Sequence, residues 1–338
     1  MKRFGIVCLV ALCAAYCSSD VEVASVGQQI GSQSQGTQLQ GTQLVGTQLE
    51  HMTMQGFQFS GATLHDLPLV NLRLQNGELF AEQDQVTLHG TSLTDAHVYA
   101  QVRNVGVNPP ATAVVEYRIT AIEPEASTYD PLQTGSTYLY TLEQRIDNGA
   151  SWQLACPADA DGRRAAIPLA ATWDEHGARV ESSSLFTFGC TTGVIAKCYR
   201  WGYRPWVTGY GDLVTTHWTC TRLARADYCG NGTSHTRDGT MIRVWDNLPS
   251  PGPILAHQGG LLGLLTFEGG WSTSGAVCLS HARWLLGGTV IAQACPDRLI
   301  PPSLFGGTVC DIVSQVLGNG TSPRMFDETD LHLNLDLF

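Results

Sequence analysis

The chain has 338 residues and carries 30 Asp+Glu against 19 Lys+Arg, a formal net charge of −11. That length has room for two or more domains. An acidic surface repels phosphate, which argues against nucleic acid and anionic membranes as partners.

Lys2 and Arg3 precede the apolar stretch FGIVCLVALCAA. A resident transmembrane helix takes about 20 residues, so this stretch reads instead as the core of an export signal over 1–17. Two processing patterns are present. Cys13–Ala15 has the small residues of ordinary cleavage, whereas Cys17 followed by Ser18 and Ser19 is a candidate lipid anchor. The expected location is outside the cytoplasm: periplasm, outer membrane through the lipid, or secreted. No later apolar run is long enough to span, and residues 18–35 read as a linker.

GTQLQGTQLVGTQLE, residues 36–50, repeats one phrase three times. Continued in fives, one phase reads Leu39, Leu44, Leu49, Met54, Phe59, Leu64, Leu69, Leu74 and Leu79. The positions two earlier are mostly small or apolar. A period of five fits neither the helix nor the strand. The pattern resembles the pentapeptide-repeat family, and the resemblance implies a short, square, right-handed β-helix stem over 36–80. For 36–50 a flexible Gly/Gln/Thr linker is the alternative.

Residues 85–190 carry strand patterns. In AVVEYRITAI, Val115, Tyr117, Ile119 and Ala121 share one face, with Glu116, Arg118 and Thr120 on the other. Asn148-Gly149 between two strand-like runs signals a hairpin. RRAAIPLAATW and SLFTFGC add strands, the former placed at an edge by Pro168. An antiparallel sandwich or barrel is expected. DADG at 159–162 has too few carboxylates for a calcium loop and reads as a turn.

Eight cysteines follow residue 155: Cys156, Cys190, Cys198, Cys220, Cys229, Cys278, Cys295 and Cys310. None forms C-x-x-C, which argues against zinc ribbons and thioredoxin-type redox chemistry. In an exported chain they are expected to form four disulfides. About 105 pairings are open; proximity favours Cys156–Cys190 and Cys295–Cys310.

CTTGVIAKCYRWGYRPW at 190–206 and HWTCTRLARADYCGNGTSHTRDGT at 217–240 together resemble the bacterial ADYC-domain family, whose tetrad here is Ala226, Asp227, Tyr228 and Cys229. The resemblance covers roughly 85–335. It implies an exported, Cys-rich envelope protein and carries over no catalytic residue. Leu213, Val214, His217, Trp218, Cys220 and Ala224 recur at helical spacing, so a helix is expected over 212–226, ended by Gly230 and Gly232. Asp227 is placed to cap that turn or pair with Arg225. A second helix is expected over 309–317.

His217, Asp227 and His235 are the weak catalytic candidates, because imidazole and carboxylate together can move protons. No hydrolase signature accompanies them. Trp201, Trp206, Trp218, Trp245, Trp271 and Trp284 suit either a core or a sugar-stacking surface. The expected architecture is α+β: the repeat stem, an antiparallel β domain over 85–190, and a disulfide-rich α+β region over 191–338. The expected role is non-catalytic binding or scaffolding at the cell envelope, without cofactor or metal. The partner would be an envelope polysaccharide or another envelope protein. An envelope-polymer hydrolase using His217 and Asp227, and a carbohydrate-binding module, are the alternatives.

Overall fold

The computed structural model describes residues 37–38, 48–49, 52–53, 57–104, 111–125, 137–146, 151–174, 176–182, 185–236, 240–249, 252–256, 265–283, 291, 293–296 and 324–330. The expected export signal, Cys17, the 18–35 linker, Trp284, Cys310 and the 309–317 helix lie outside the described residues.

Three two-residue strands come first: β1 (Thr37–Gln38), β2 (Gln48–Leu49) and β3 (Met52–Thr53). β2 and β3 pair antiparallel with each other. An antiparallel meander follows: β4 (Phe57–Leu64), β5 (Leu67–Gln75), β6 (Glu78–Gln83) and β7 (Val86–His89). Over 57–80 this is a correction to the expected β-helix stem, because a β-helix coils in one sense whereas these strands reverse; most of 36–56 lies outside the described residues. The reversals are two-residue turns at His65–Asp66, Asn76–Gly77 and Asp84–Gln85, each with both residues at positive φ. That geometry matches the twist of a hairpin.

The five-residue phase has a local cause. Positions two apart share a strand face, and the first two turns set the leucine that ends one strand opposite the leucine that begins the next. Leu64 stands opposite Leu67, and Leu74 opposite Leu79. Asn71, at φ 53°, lies where the β5–β6 register shifts, and this bulge moves the apolar face from Leu69 to Leu72 and Leu74.

After a 3-10 turn (Gly90–Leu93) come β8 (His97–Asn104), β9 (Ala111–Pro124), β10 (Tyr138–Ile146), β11 (Gln153–Leu154), β12 (Ala165–Leu169), β13 (Ala171–Trp173), β14 (Arg179–Glu181) and β15 (Leu185–Cys190). The sheet runs β15-β12-β10-β9-β8-β4, and β15 pairs back onto β4 with Leu185 opposite Gln58. Six antiparallel strands therefore close into a barrel, which removes free edges. Inside lie Val115, Tyr117 and Ile119 of β9. The register then shifts at Thr120, and Ile122 rather than Ala121 is the next buried residue.

Glu116 points outward yet is 3 % exposed. His97 Nδ1 lies 2.6 Å from one of its oxygens and Arg145 pairs with the other. Trp152 meets His97 edge-on, and the Arg145 and Arg118 guanidiniums stack on its ring. Asp159 Oδ1 accepts the N–H groups of Asp161 and Arg163, which makes DADG a turn.

Pro168 is not at an edge. β12 lies between β10 and β15, and all five of its residues are buried. Ala166 faces the barrel, while Ala165, Ile167 and Leu169 enter a second core. β10 pairs only with Ala165 and Ala166, so the missing N–H of Pro168 falls beyond that ladder.

The second core surrounds α1 (Val194–Arg200), which the helical patterns did not single out, and α2 (Leu213–Arg225). Asp212 begins α2 by accepting the Thr215 N–H at 3.0 Å. A sheet of β16 (Met241–Asp246), β17 (Leu265–Ser272), β18 (Gly275–Leu279) and β19 (Met325–Asp330) closes this region in the order β1-β16-β19-β17-β18. α2 packs on β17, β18 and β19, and α1 on β15 and α2. A Cβ on Gly77, in the β5–β6 turn, would stand 2.5 Å from the Trp206 ring, so the two regions meet there in close contact.

Three disulfides join described residues: Cys156–Cys190, Cys198–Cys220 and Cys229–Cys295. Cys278 is also disulfide-bonded, to a partner outside the described residues. Cys295–Cys310 is corrected to Cys229–Cys295 because the turn after α2 returns Cys229 to the 291–295 segment.

Candidate functional site

The Ala226–Cys229 tetrad sits where α2 stops. From Thr219 to Ala226 every residue is buried, so this end of the helix is enclosed on all sides. Ala226 adopts φ 51°, the left-handed conformation that ends helices. Its N–H returns to Leu223 O and that of Asp227 to Arg222 O, the paired bonds of a Schellman close.

Asp227 then holds the next turn. One oxygen accepts the Asn231 N–H at 3.1 Å; the other accepts the Gly232 N–H at 2.9 Å and pairs with Arg222. Asp227 thus caps as expected, but its ion-pair partner is Arg222 rather than Arg225. Arg225 instead donates to Gly232 O. Gly230 and Gly275 let this turn press against the β17–β18 hairpin: a Cβ on Gly230 would lie 2.2 Å from Ser274 O, and one on Gly275 2.5 Å from Tyr228 O.

Beneath the turn lies a buried polar network. The Tyr228 hydroxyl donates to Glu268 at 2.8 Å and accepts the Arg283 backbone N–H at 2.8 Å. The Arg283 guanidinium spans both Glu268 oxygens and reaches Asp327 at 2.7 Å. It also donates to Leu223 O and Ala224 O, adding a positive charge at the negative end of the helix. Trp271 donates its indole N–H to Asp327 at 2.7 Å and stacks on Tyr228.

Two carboxyls face one guanidinium in this network. Burial, then the Glu268 charge, pushes Asp327 well above the usual carboxylate range, against the lowering effect of Arg283. Burial, then Glu268, also raises the Tyr228 phenol.

The structure separates His217 from the other two candidates. A rise of 1.5 Å per residue puts about 12 Å of helix between positions 217 and 225. His217 Nε2 donates to Ile195 O at 3.0 Å, and its ring lies 4.2 Å from that of Tyr199 and 5.9 Å from that of Trp173. Burial, then the Arg179 charge, holds it well below the usual imidazole range, so it is neutral. His235 does approach Asp227. It is half-buried beside the Tyr228 ring at 5.6 Å, and burial lowers its pKa against the opposing Asp227 charge.

Glu268, Arg283 and Asp327 were missed in the sequence reading. For Glu268 and Arg283 the signal was a single charge inside an apolar stretch, as in LTFEGGW and SHARWLL. Among the tryptophans, Trp201 and Trp271 are buried. Trp218 is covered by Arg222 and bonded to Gly177 O, and Trp245 stacks on Phe326. Among the described residues no three His, Cys, Asp or Glu side chains gather as a metal site.

A family model described as ADYC domain matches residues 86–285. No curated protein and no solved structure matches the chain.

Proposed function

Because the chain belongs to the ADYC-domain family, we propose that it is an exported, non-catalytic protein with a binding or scaffolding role at the cell envelope. The observation that carries this reading is the inward use of the motif. Asp227 is engaged by two backbone N–H groups and Arg222, Tyr228 by Glu268 and Arg283, and Cys229 by Cys295. Side chains committed in this way hold a turn in place. A general base must come within a hydrogen bond or one water of the proton it takes, and the helix length between His217 and Asp227 works against the hydrolase alternative. The disulfides suit an oxidising compartment.

The test is fractionation of the full chain expressed with its own N-terminus, followed by a thiol count on denatured, unreduced protein. The reading expects envelope or extracellular recovery with near-zero free thiol. A Cys17→Ser variant should release the protein from the membrane fraction if Cys17 is lipidated. Cytoplasmic recovery with several free thiols would overturn export. Turnover of envelope polymer that Asp227→Asn abolishes in a still-folded chain would overturn the non-catalytic reading.

A further inference from the structure

The outward-facing residues of β8, β9 and β10 build a second polar cluster, on the outside of the barrel. His97 stands opposite Arg118, and Arg118 opposite Glu143; two residues along β9, Glu116 stands opposite Arg145. Trp152, just ahead of β11, lies across these rows. The Arg145 and Arg118 guanidiniums are 4.5 Å and 4.7 Å from its ring centre, and His97 meets its edge at 5.7 Å.

The cluster holds itself still from within. Glu116 takes His97 Nδ1 on one oxygen and Arg145 Nε on the other, and Arg118 pairs with Glu143. Glu116 is 3 % exposed, whereas the side chains of His97, Arg118, Glu143 and Arg145 are 25 to 36 % exposed. Trp152 is partly exposed as well. The anchoring carboxylate is therefore inside, and the groups it orients reach the surface. Among the described residues, His97 Nε2, the Arg145 Nη atoms, one Glu143 oxygen and the Trp152 indole N–H have no hydrogen-bond partner. Trp218 and Trp271, by contrast, give their N–H groups to the protein.

Two guanidiniums face two carboxylates here, so a charged ligand would find no net opposite charge. What the cluster presents is a flat apolar ring with a fringe of donors and acceptors. The pyranose ring of an uncharged sugar is its complement. One face of that ring carries C–H groups that pack on an indole, and its rim carries hydroxyls that both donate and accept. Groups already held in place lose little freedom when such a ligand binds.

We propose that Trp152 is the platform of a glycan-binding site on the outer face of the barrel, with His97, Glu143 and Arg145 reading the hydroxyls of an uncharged pyranose unit. This deepens the binding reading, on which it rests, by naming the ligand class. Its failure would leave the fractionation and thiol results untouched.

The experiment titrates the full, oxidised chain with cellohexaose, chitohexaose and maltohexaose, and with hexagalacturonate as the charged control, by calorimetry. At least one uncharged hexamer should bind with a Kd of about 1 mM or tighter, and hexagalacturonate at least about tenfold more weakly. Trp152→Ala should weaken binding at least about tenfold. Trp152→Phe keeps a ring but loses the N–H, and should weaken it about threefold.

Trp152→Ala also removes the surface on which two guanidiniums lie, so oxidative footprinting of the unmodified chain gives an independent readout. Saturating hexamer should slow oxidation of Trp152 at least about threefold and leave that of Trp218 unchanged. Three results would overturn the proposal. One is neither heat nor protection from any uncharged hexamer up to about 10 mM. Another is binding that Trp152→Ala leaves intact. The third is tighter binding of hexagalacturonate than of every uncharged hexamer.

Discussion

Tyr228→Phe removes one oxygen from the centre of the cap and keeps the ring. The hydroxyl donates to Glu268 and accepts the Arg283 N–H, both at 2.8 Å, in a site where Tyr228, Glu268 and Arg283 are all fully buried. Glu268 keeps its guanidinium contacts, but the Arg283 N–H loses the hydroxyl it donates to at a fully buried position. A lost bond to a charged group contributes about 1.5–3 kcal/mol, and an orphaned buried donor costs about 1–3 kcal/mol. The two overlap, so the net destabilisation should be about 3 kcal/mol. For a region of this size that lowers Tm by about 6–12 °C. Stacking on Trp271 at 5.3 Å should persist, so the near-UV circular dichroism of the folded variant should match the parent. Urea and thermal melts of the oxidised chain measure the effect. A change below about 0.5 kcal/mol, the size of an ordinary surface substitution, would refute the structural reading of the motif.

Gly230→Ala should be far worse than Gly162→Ala in the same melts. Both glycines have positive φ, but only Gly230 meets backbone, at 2.2 Å, and nothing lies within 4 Å of Gly162. The φ penalty alone is about 1–2 kcal/mol, so similar losses at the two sites would contradict the close packing of the motif turn. Burial lowers the pKa of His217, His235 and His281. Their contribution to stability is present above the unfolded value of about 6.5 and is lost as pH falls, by up to about 1.4 kcal/mol per pH unit for each proton. His217→Gln should therefore flatten the acid limb of Tm against pH, and an unchanged limb would count against its neutral burial. Asp327 and Asp246 are raised by burial. Their contribution has the opposite sign, present below about 4 and lost as pH rises, and Asp327→Asn should lessen that alkaline decline. Replacing the disulfides one pair at a time by serine should cost about 3.4 kcal/mol for Cys198–Cys220, about 3.8 for Cys156–Cys190 and about 4.3 for Cys229–Cys295, in order of loop length. Urea midpoints in the reverse order would show that native packing, rather than chain entropy, sets their effect.

Local chemistry made α2 legible in the sequence. Its apolar spacing and the glycines after Cys229 act within a few residues. Alternation likewise exposed β9 up to Thr120, where a bulge that no pattern announced changed the inward face. The five-residue phase was a true regularity with the wrong cause. Turns with positive φ at Asn76-Gly77 and Asp84-Gln85 reverse the chain, and a count of apolar residues carries no record of direction. The site was less legible than the fold. Asp227 and Tyr228 stood out as part of a tetrad, but Glu268, Arg283 and Asp327 come from strands and loops 40 to 99 positions beyond Tyr228.

The sequence by itself determined the β-rich middle, the position of α2 and the abundance of cysteines without metal spacing, because periodicity, capping and ligand spacing act over a few neighbouring residues. Only the tertiary structure decided that β15 closes on β4, that β12 is buried on both faces, that Cys229 meets Cys295, and that Asp227 and Tyr228 turn inward. Each of those depends on which distant segments become neighbours once the two cores have formed, and burial then favours partners that satisfy the charges and hydrogen bonds brought inside.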